Sequence, residues 1–302
     1  MAISRQQLVK ELEPGLNALF GLEYKRYENQ HVEIYDAENS DRAFEEEVML
    51  SGFANAAVKP EGSAVTFDNA QETFTSRYTH ETIALAFAIT EEAIEDNLYD
   101  RIATRYTKAL ARSMANTKQV KAANVLNNAF NTNYLGGDGL ELCSTLHPTI
   151  AGTFSNELST SADLNETSLE QALIDIAAFT DERGLKIAAQ GMKLIIPSEL
   201  QFTAERLMKS QGRVGTADND VNAIVSKGMI PQGYVVNNYL TDTDAFFIKT
   251  DVPNGMKMFT RSPLKTAMEG DFDTGNVRYK ARERYSFGFS DARGIFGSPG
   301  GA

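Results

Sequence analysis

The stretch from Thr73 to Phe130 constrains the fold more than any other part of this sequence, because a strand pattern passes into a very long helix pattern without any Gly or Pro. The strand pattern alternates large apolar residues with Thr or Ala, which is typical of a strand with one buried face. Its large residues are Ile83, Leu85, Phe87 and Ile89. From Thr90 the apolar spacing changes to four and predicts one helix over about residues 91–130, roughly 60 Å long. The first apolar row of this helix is Ile94, Leu98, Ile102, Tyr106, Leu110 and Met114.

The segment before the helix, residues 44–90, is predicted to form a long hairpin. Its tip, VKPEGSAVTFDN, is punctuated by Gly and Pro, and the returning strand begins near Thr73. A two-stranded arm and a long helical rod bury little surface by themselves, and an exposed hairpin is an edge hazard in a monomer. We therefore expect the chain to complete its packing against other subunits, as an assembly protein rather than an enzyme.

Composition bounds the class of protein. The 302 residues carry a formal net charge of -12, which argues against a free nucleic-acid binder, since phosphate binding needs a clustered basic surface. The longest apolar run, residues 83–89, is far short of a membrane span, and the first residues lack the apolar core of a signal peptide. Cys143 is the single cysteine, which excludes an intrachain disulfide and fits a reducing compartment. The residues predict a cytoplasmic protein.

The two ends of the chain have different patterns. The N-terminal region is predicted to be an arm, with a helix interrupted at Pro14 and Gly15 and then a polar, aromatic strap. Residues 165–260 alternate helical and strand patterns, as in an α/β unit. The last strand is the clearest, because one face is apolar and the other is cationic. Its apolar residues are Val277, Tyr279, Ala281, Tyr285, Phe287 and Phe289, and its cationic ones are Arg278, Lys280, Arg282 and Arg284.

Two segments of the sequence carry a family resemblance. Residues 136–156 read GGDGLELCSTLHPTIAGTFSN, and residues 167–208 read TSLEQALIDIAAFTDERGLKIAAQGMKLIIPSELQFTAERLM. The first resembles a segment of the Mu-like major head subunits, and the second resembles the opening of a capsid axial domain. Together with the order of arm, hairpin, long helix, α/β unit and final strand, the chain resembles the major capsid proteins of tailed bacteriophages.

This resemblance implies the α+β, Hong Kong 97-type capsid fold. It implies an N-terminal arm at 1–43, an extended hairpin or E-loop at 44–90, a peripheral domain at 91–164 and 261–302 with a spine helix at about 91–130, and an axial domain at 165–260. The implied function is self-assembly as hexamers and pentamers into an icosahedral head around double-stranded DNA. Scaffolding, portal and cement proteins are the implied partners, the virion is the implied location, and no cofactor is implied. The alternatives are an encapsulin-type nanocompartment shell and a soluble α/β hydrolase or binding protein.

The candidate catalytic and metal-ligating residues each have a simpler structural interpretation. Asp138, Cys143 and His147 could suggest a Cys/His nucleophile pair, but a turn with a buried thiol is favoured. The other two histidines are His31 and His80, and the spacing of the three histidines does not match that of metal ligands. The sequence therefore predicts a non-enzymatic protein without a metal site.

Charged and aromatic residues are the candidate intersubunit contacts. One cationic stripe lies on the long helix at Arg101, Arg105, Lys108 and Arg112, and the second is the cationic face of the last strand. Three interpretations stay open for the stripes: pairing with an acidic patch of an adjacent subunit, a solvated face, or contact with packaged DNA. The other candidate contacts are Glu45, Glu46, Glu47, Phe67, Phe74 and Arg77.

Overall fold

The computed structural model describes residues 5–90, 92, 99–212, 221–271 and 275–301, with only the backbone for 5–12 and 99–102. Within these residues the fold is α+β. The helices are α1 (Arg5–Arg26), α2 (Tyr99–Asn127), α3 (Glu166–Ala177), α4 (Gln201–Lys209) and α5 (Ala223–Lys227). The strands are β1 (Asp36–Asn39), β2 (Phe44–Leu50), β3 (Glu72–Thr79), β4 (Glu81–Ile89), β5 (His147–Thr149), β6 (Gly152–Phe154), β7 (Gly191–Ile196), β8 (Tyr234–Val236), β9 (Phe246–Thr250), β10 (Met256–Gly270), β11 (Val277–Phe289) and β12 (Ile295–Ser298).

The first sheet has the strand order β1-β10-β11-β4. β11 pairs antiparallel with β10 and with β4, while β1 is parallel to β10. Helices α1 and α2 cover one face of this sheet, where Phe20, Leu110 and Met114 pack against Tyr279 and Ile89. The predicted alternation of β11 is confirmed, because its apolar residues lie on this covered face and its cations on the other.

The second sheet has the strand order β12-β9-β7-β8 and lies between two layers. Leu194 and Phe246 belong to a core formed with α3 and α4. Their neighbours Ile195 and Phe247 point to the opposite side and join a core that includes Leu126 of α2. Both faces of β7 and β9 are therefore buried, which explains their apolar runs Leu194–Ile196 and Phe246–Ile248.

The N-terminal helix differs from its prediction. α1 is continuous from Arg5 to Arg26 with Pro14 inside it, so the predicted interruption is wrong. Pro14 removes one backbone hydrogen bond. The packing of Leu16 and Phe20 against the first sheet and α2 holds the second half of α1 in place despite this loss.

The long helix is described from Tyr99. Its first turns, predicted to follow an N-cap at Thr90 and to include Ile94 and Leu98, fall on residues 91 and 93–98, which lie outside the described residues, as does the Ile102 side chain. Leu110 and Met114 are buried as predicted, but Tyr106 is 51% exposed. A strict spacing of four advances 400° and drifts around the helix, so it cannot stay on one face. The buried stripe instead mixes steps of three and four, first through Ala103, Thr107, Leu110 and Met114 and then through Ala115, Gln119, Ala122 and Leu126.

A charged residue occupies the apolar face of β11. Glu283 is buried, and its carboxylate accepts hydrogen bonds from Lys118 Nζ and from the Tyr24 hydroxyl, each at 3.3 Å. Burial raises the pKa of Glu283, although Lys118 and Tyr24 act in the opposite direction. This polar contact links α1, α2 and β11 inside an otherwise apolar core.

His31 lies in the short turn after α1 and is also buried. Its backbone N–H donates to Gln119 Oε1 at 3.2 Å, and its ring meets the edge of Phe287 with centroids 5.7 Å apart. Burial, followed by the charge of Lys118, lowers the pKa of His31 to about 4. The folded chain therefore holds this imidazole in its neutral form.

Asn156 joins three distant segments. Its amide nitrogen donates to the carbonyl oxygens of Leu142, Ala292 and Ile295, at 2.7, 2.9 and 3.1 Å. Its oxygen accepts from the Ser144 backbone N–H at 2.9 Å and lies 3.1 Å from His147 Nε2. One buried amide thus satisfies backbone groups from both sides of the core.

We predict that Asn156→Ala lowers the free energy of unfolding by about 3 kcal/mol or more, because it removes the hydrogen bonds to three buried carbonyls and the acceptor of the buried Ser144 N–H. Urea unfolding measures the loss. Asn133→Ala is the matched control, since this exposed amide donates to Asn131 Oδ1 at 3.1 Å and its removal should cost less than about 0.5 kcal/mol. Equal losses in the two variants would contradict the role assigned to Asn156.

We predict that protonation of His31 weakens the fold in acid. The folded pKa of His31, about 4, lies below the ordinary 6.5, so the unfolded chain binds more protons between these values. Its contribution is complete above about pH 6.5 and falls by up to about 3 kcal/mol as the pH approaches 4.

The measurement is urea unfolding of the natural chain and of His31→Gln at pH 7 and pH 4. Other titrating groups, such as Glu283 and Asp291, are common to both proteins and cancel in the difference. The difference in free energy should shrink in acid, and parallel pH profiles would refute the prediction.

Candidate assembly surfaces

The hairpin projects apolar side chains into solvent. β2 and β3 pair antiparallel, with Phe44 opposite Thr79 and Val48 opposite Thr75. The tip between them, residues 51–71, contains no strand. Phe67 in the tip is 97% exposed, whereas Phe74 in β3 is half-buried. The other exposed apolar residues of the hairpin are Phe44, Val48, Leu50, Phe53, Val58 and Val65.

The two faces of the hairpin differ in their contacts. On the outer face, the Arg77 guanidinium lies 3.9 Å from the centre of the Phe44 ring and forms an open ion pair with Glu46 at 3.8 Å. On the inner face, Glu45 and Glu47 point toward the body of the same chain. Glu45 accepts a hydrogen bond from the Ser40 hydroxyl at 2.6 Å.

The base of the hairpin is held by a cluster that we call the hairpin root: Glu47, Tyr78, Lys257, Phe259 and Ser290. Glu47 pairs with Lys257 and accepts a hydrogen bond from Ser290, and Lys257 also pairs with Glu38 at 3.0 Å. Burial alone would lower the pKa of Lys257, but Glu47 and Glu38 outweigh it and raise that pKa.

Ring packing completes the hairpin root. The edge of the Tyr78 ring meets Phe259 with centroids 4.8 Å apart, and its hydroxyl lies 2.5 Å from Ser290 Oγ. Gly288 is required beneath this ring, because a Cβ atom there would lie 2.8 Å from Tyr78 Cε1. The hairpin root therefore covers the base of the first sheet on the face opposite the helices.

A histidine marks the corner between the hairpin and the first sheet. His80 separates β3 from β4, and its ring nitrogens lie 2.8 Å from Ser40 Oγ and 3.0 Å from Ser286 Oγ. Burial, followed by the charge of Arg284, lowers the pKa of His80. Because both nitrogens of the neutral His80 ring contact serine hydroxyls, the ring fixes the direction in which the hairpin leaves the first sheet.

The hairpin tip also contacts its own chain. Arg183 donates to the Asn69 carbonyl at 2.7 Å and lies 3.9 Å from Asp68 Oδ1. Backbone N–H groups of Ala54 and Asn69 lower the pKa of Asp68. These contacts brace one side of the tip and leave its apolar residues exposed.

The cationic stripes lie on different surfaces. On α2, Arg105 and Lys108 are exposed, Arg112 donates to the Tyr27 hydroxyl at 2.7 Å, and the Arg101 side chain lies outside the described part. On β11, the exposed residues are Arg278, Lys280 and Arg282, with Arg284 half-buried. Within one chain, Glu45, Glu46 and Glu47 contact Ser40, Arg77 and Lys257, and none of these ion pairs or hydrogen bonds involves a stripe.

Lys257, Tyr78 and Ser290 of the hairpin root are not among the residues predicted from the sequence. One signal was available, because Lys257 stands between Met256 and Met258 in an apolar run. A lysine in such a position is buried only with a carboxylate partner.

The Cys/His arrangement does not form a nucleophile pair. Cys143 is buried, and burial raises the pKa of its thiol. Both ring nitrogens of His147 are engaged, with Asp138 Oδ2 at 2.5 Å and Asn156 Oδ1 at 3.1 Å. The ring therefore has no nitrogen left to activate the thiol.

We predict that Glu47→Ala loosens the hairpin, because it leaves the buried ammonium of Lys257 with Glu38 alone. The expected cost is about 3 kcal/mol, with amide hydrogen exchange in residues 44–79 at least about tenfold faster. Hydrogen exchange read by mass spectrometry measures both strands.

Glu46→Ala is the control for this prediction. It removes the adjacent carboxylate on the outer face, where both partners of the ion pair are exposed, and should cost less than about 0.5 kcal/mol. Equal exchange rates in the two variants would contradict the role of the hairpin root.

Among the described residues, none of the helices has the length and apolar character of a membrane span. No curated protein sequence matches this chain. Solved structures of a virus-like particle and of capsids share its fold. The virus-like particle from Pyrococcus furiosus is 12% identical with a TM-score of 0.56, over 94% of this chain and 97% of that one. The capsid of the empty GTA particle is 15% identical with a TM-score of 0.58, over 91% of each chain.

The capsid of Myoviridae phage XM1 is also similar, at 12% identity and a TM-score of 0.54, over 88% of this chain and 89% of that one. At such identities the likeness shows the fold, and it confirms the predicted Hong Kong 97-type architecture. The profile of a family described as phage capsid protein matches residues 72–297. This match favours a shell-forming phage protein over the encapsulin and hydrolase alternatives. From the family match and the shared fold together, we conclude that the chain belongs to the phage capsid protein family and is the major capsid protein of a tailed phage.

Proposed function

We propose that this chain assembles as hexamers and pentamers into an icosahedral head that encloses double-stranded DNA. The observation that carries the proposal is a hairpin that is rigidly held at its base and apolar on its outer surface. Buried ion pairs and ring packing fix the hairpin root, so the hairpin is not a loose loop. Such a projection is built to meet a neighbouring subunit.

The exposed apolar surface of the hairpin supports a contact between subunits. Phe67 is 97% exposed, Val58 94% and Phe53 60%. Monomeric soluble proteins rarely expose large contiguous apolar patches, and such patches mark sites of interaction. Burying these side chains against a second copy would contribute about 25 cal/mol per Å² of apolar surface. Repeated in every subunit, this contribution makes a closed shell favourable.

We assign the candidate intersubunit contacts the following roles in this assembly. Phe67 and Phe74 would supply apolar contact, while Glu46 and Arg77, which form only an open pair with each other, could exchange partners across the interface. Glu45 and Glu47 would act indirectly, by orienting the hairpin. The cationic candidates are Arg101, Arg105, Arg278, Lys280, Arg282 and Arg284.

The domain division also belongs to the proposal: an arm at 1–43, the hairpin at 44–90, a peripheral domain at 91–164 and 261–302, and an axial domain at 165–260. β4 and β12 connect these parts, because β4 joins the sheet of the peripheral domain and β12 joins that of the axial domain.

The environment of the shell follows from the same proposal. The chain would be made in the host cytoplasm and be a part of the virion, without catalysis. With a net charge of -12, it would enclose DNA without sequence-specific contacts to the bases. Scaffolding and portal proteins, and in some heads cement proteins, would be its partners.

We predict that Phe53→Ser with Phe67→Ser blocks assembly of the purified chain while leaving its thermal unfolding unchanged, because both rings are exposed in the single subunit. Size-exclusion chromatography and negative-stain microscopy measure rings and closed shells. Phe53→Tyr with Phe67→Tyr is the matched control, since it keeps both rings and should still assemble. Normal shells from the serine variant would argue against the hairpin as an interface, and a natural chain that stays monomeric under all conditions would overturn the proposed function.

A further inference from the structure

The face of the first sheet opposite the helices has a covered half and an open half. The hairpin root covers the base, where Tyr78 packs on Phe259 and Gly288. Beyond the irregular pairing between Thr260 and Lys265, the outward side chains of β10, β11 and β4 are exposed. Among the described residues, nothing packs on this half.

Cations stand in a row on the open half. Lys280 and Arg282 are two residues apart on the same face of β11, about 6.7 Å from each other. Lys265 of β10 stands directly across the strands from Arg282. Arg278, at the end of the row, forms an ion pair with Asp271. Lys265, Lys280 and Arg282 have no carboxylate within ion-pair distance in the part of the chain that the structure describes. These three side chains therefore present positive charge without an ion-pair partner, while Arg278 at the end of the row stands opposite Glu269 in the register. They do so in a chain whose net charge is -12.

Beside this row lies an open edge. β4 is the last strand in the order of the first sheet, and Ala84 and Ala86 stand opposite Arg282 and Lys280. The outer backbone edge of β4 has no strand partner among the described residues. A strand added there would lie about 9.6 Å from β11, and because only methyl groups intervene, acidic side chains from it could meet the cations above the alanines.

The opposite face of β4 is incompletely covered. Leu85 is 46% exposed, although it lies on the side that packs against the helices. An added strand would cover it with an apolar side chain. The edge thus fits an extended segment in which acidic residues alternate with apolar ones.

We propose that this face and edge receive an extended acidic segment from a second copy of this chain, which adds to β4 as a fifth strand. The proposal rests on the proposed function, because shell assembly brings copies together. A second copy is the occupant that the charges favour, since the chain carries 41 acidic and 29 basic residues. A DNA duplex would neutralise the cations, but it would neither hydrogen-bond to the strand edge nor cover Leu85.

The experiment uses photo-cross-linking from Ala86→Cys. The natural Cys143 is buried and burial raises its thiol pKa, so a benzophenone maleimide will label the introduced thiol selectively. Equal parts of nitrogen-14 and nitrogen-15 subunits are mixed, assembled and irradiated, and the cross-linked peptides are identified by mass spectrometry. We expect cross-links of mixed isotope to an acidic segment, with a yield that falls as salt is raised.

Charge reversal tests the cations. Lys280→Glu with Arg282→Glu, added to Ala86→Cys, should lower the cross-link yield about tenfold or more. Arg206→Glu with Lys209→Glu makes the same charge change on α4 and should leave the yield unchanged. Circular dichroism verifies folding, and if the reversed variant does not fold, the salt dependence of Ala86→Cys alone decides.

The outcomes separate this inference from the proposed function. Cross-links confined to one isotope, cross-links to nucleic acid or to another protein, or a yield that ignores both salt and charge reversal would overturn the inference. Shells that still form in those cases would leave the capsid assignment standing. Failure of the natural chain to form any shell or ring would instead remove the basis of both.

Discussion

The buried stripe of α2 is the constraint on which the rest of the structure depends. Its first half packs against the first sheet through Leu110 and Met114, and its second half packs against the second sheet through Leu126. One continuous helix therefore belongs to two cores. Because a helix cannot bend sharply without losing hydrogen bonds, the relative positions of the two sheets follow from its length. The arm and the hairpin are then added to a frame that is already defined.

Polar contacts in the interior set directions, whereas apolar packing supplies most of the stability. Glu283 ties α1 to α2 and β11, and Lys257 with Glu47 ties the hairpin to the first sheet. Buried ion pairs contribute little net stability, but any alternative packing that separates the two charges leaves one of them buried without a partner. Their value here is geometric, since a projecting element must point the same way in every copy if identical copies are to form repeated contacts.

Regular patterns made much of the fold predictable. β11 has two chemically different faces, so its alternation identifies both the strand and its orientation. Tyr106 was misplaced because a spacing of four only approximates the helical repeat. The pairing of Glu47 with Lys257 was not predictable, because 210 residues separate the partners and neither has a local pattern that identifies the other. The role of Asn156 was missed for the same reason, since its carbonyl partners are brought together only by the finished fold.

The single residue between β3 and β4 has a mechanical consequence. His80 is the whole connection between a strand of the projecting hairpin and a strand of the first sheet, and the two are covalently continuous. A pull on the hairpin by a neighbour is therefore transmitted along the backbone into β4 with almost no slack to absorb it. β4 lies against α2, so the load passes to the element shared by both cores. In a closed shell, strain at one contact would be spread through each subunit's framework rather than dissipated in a flexible joint.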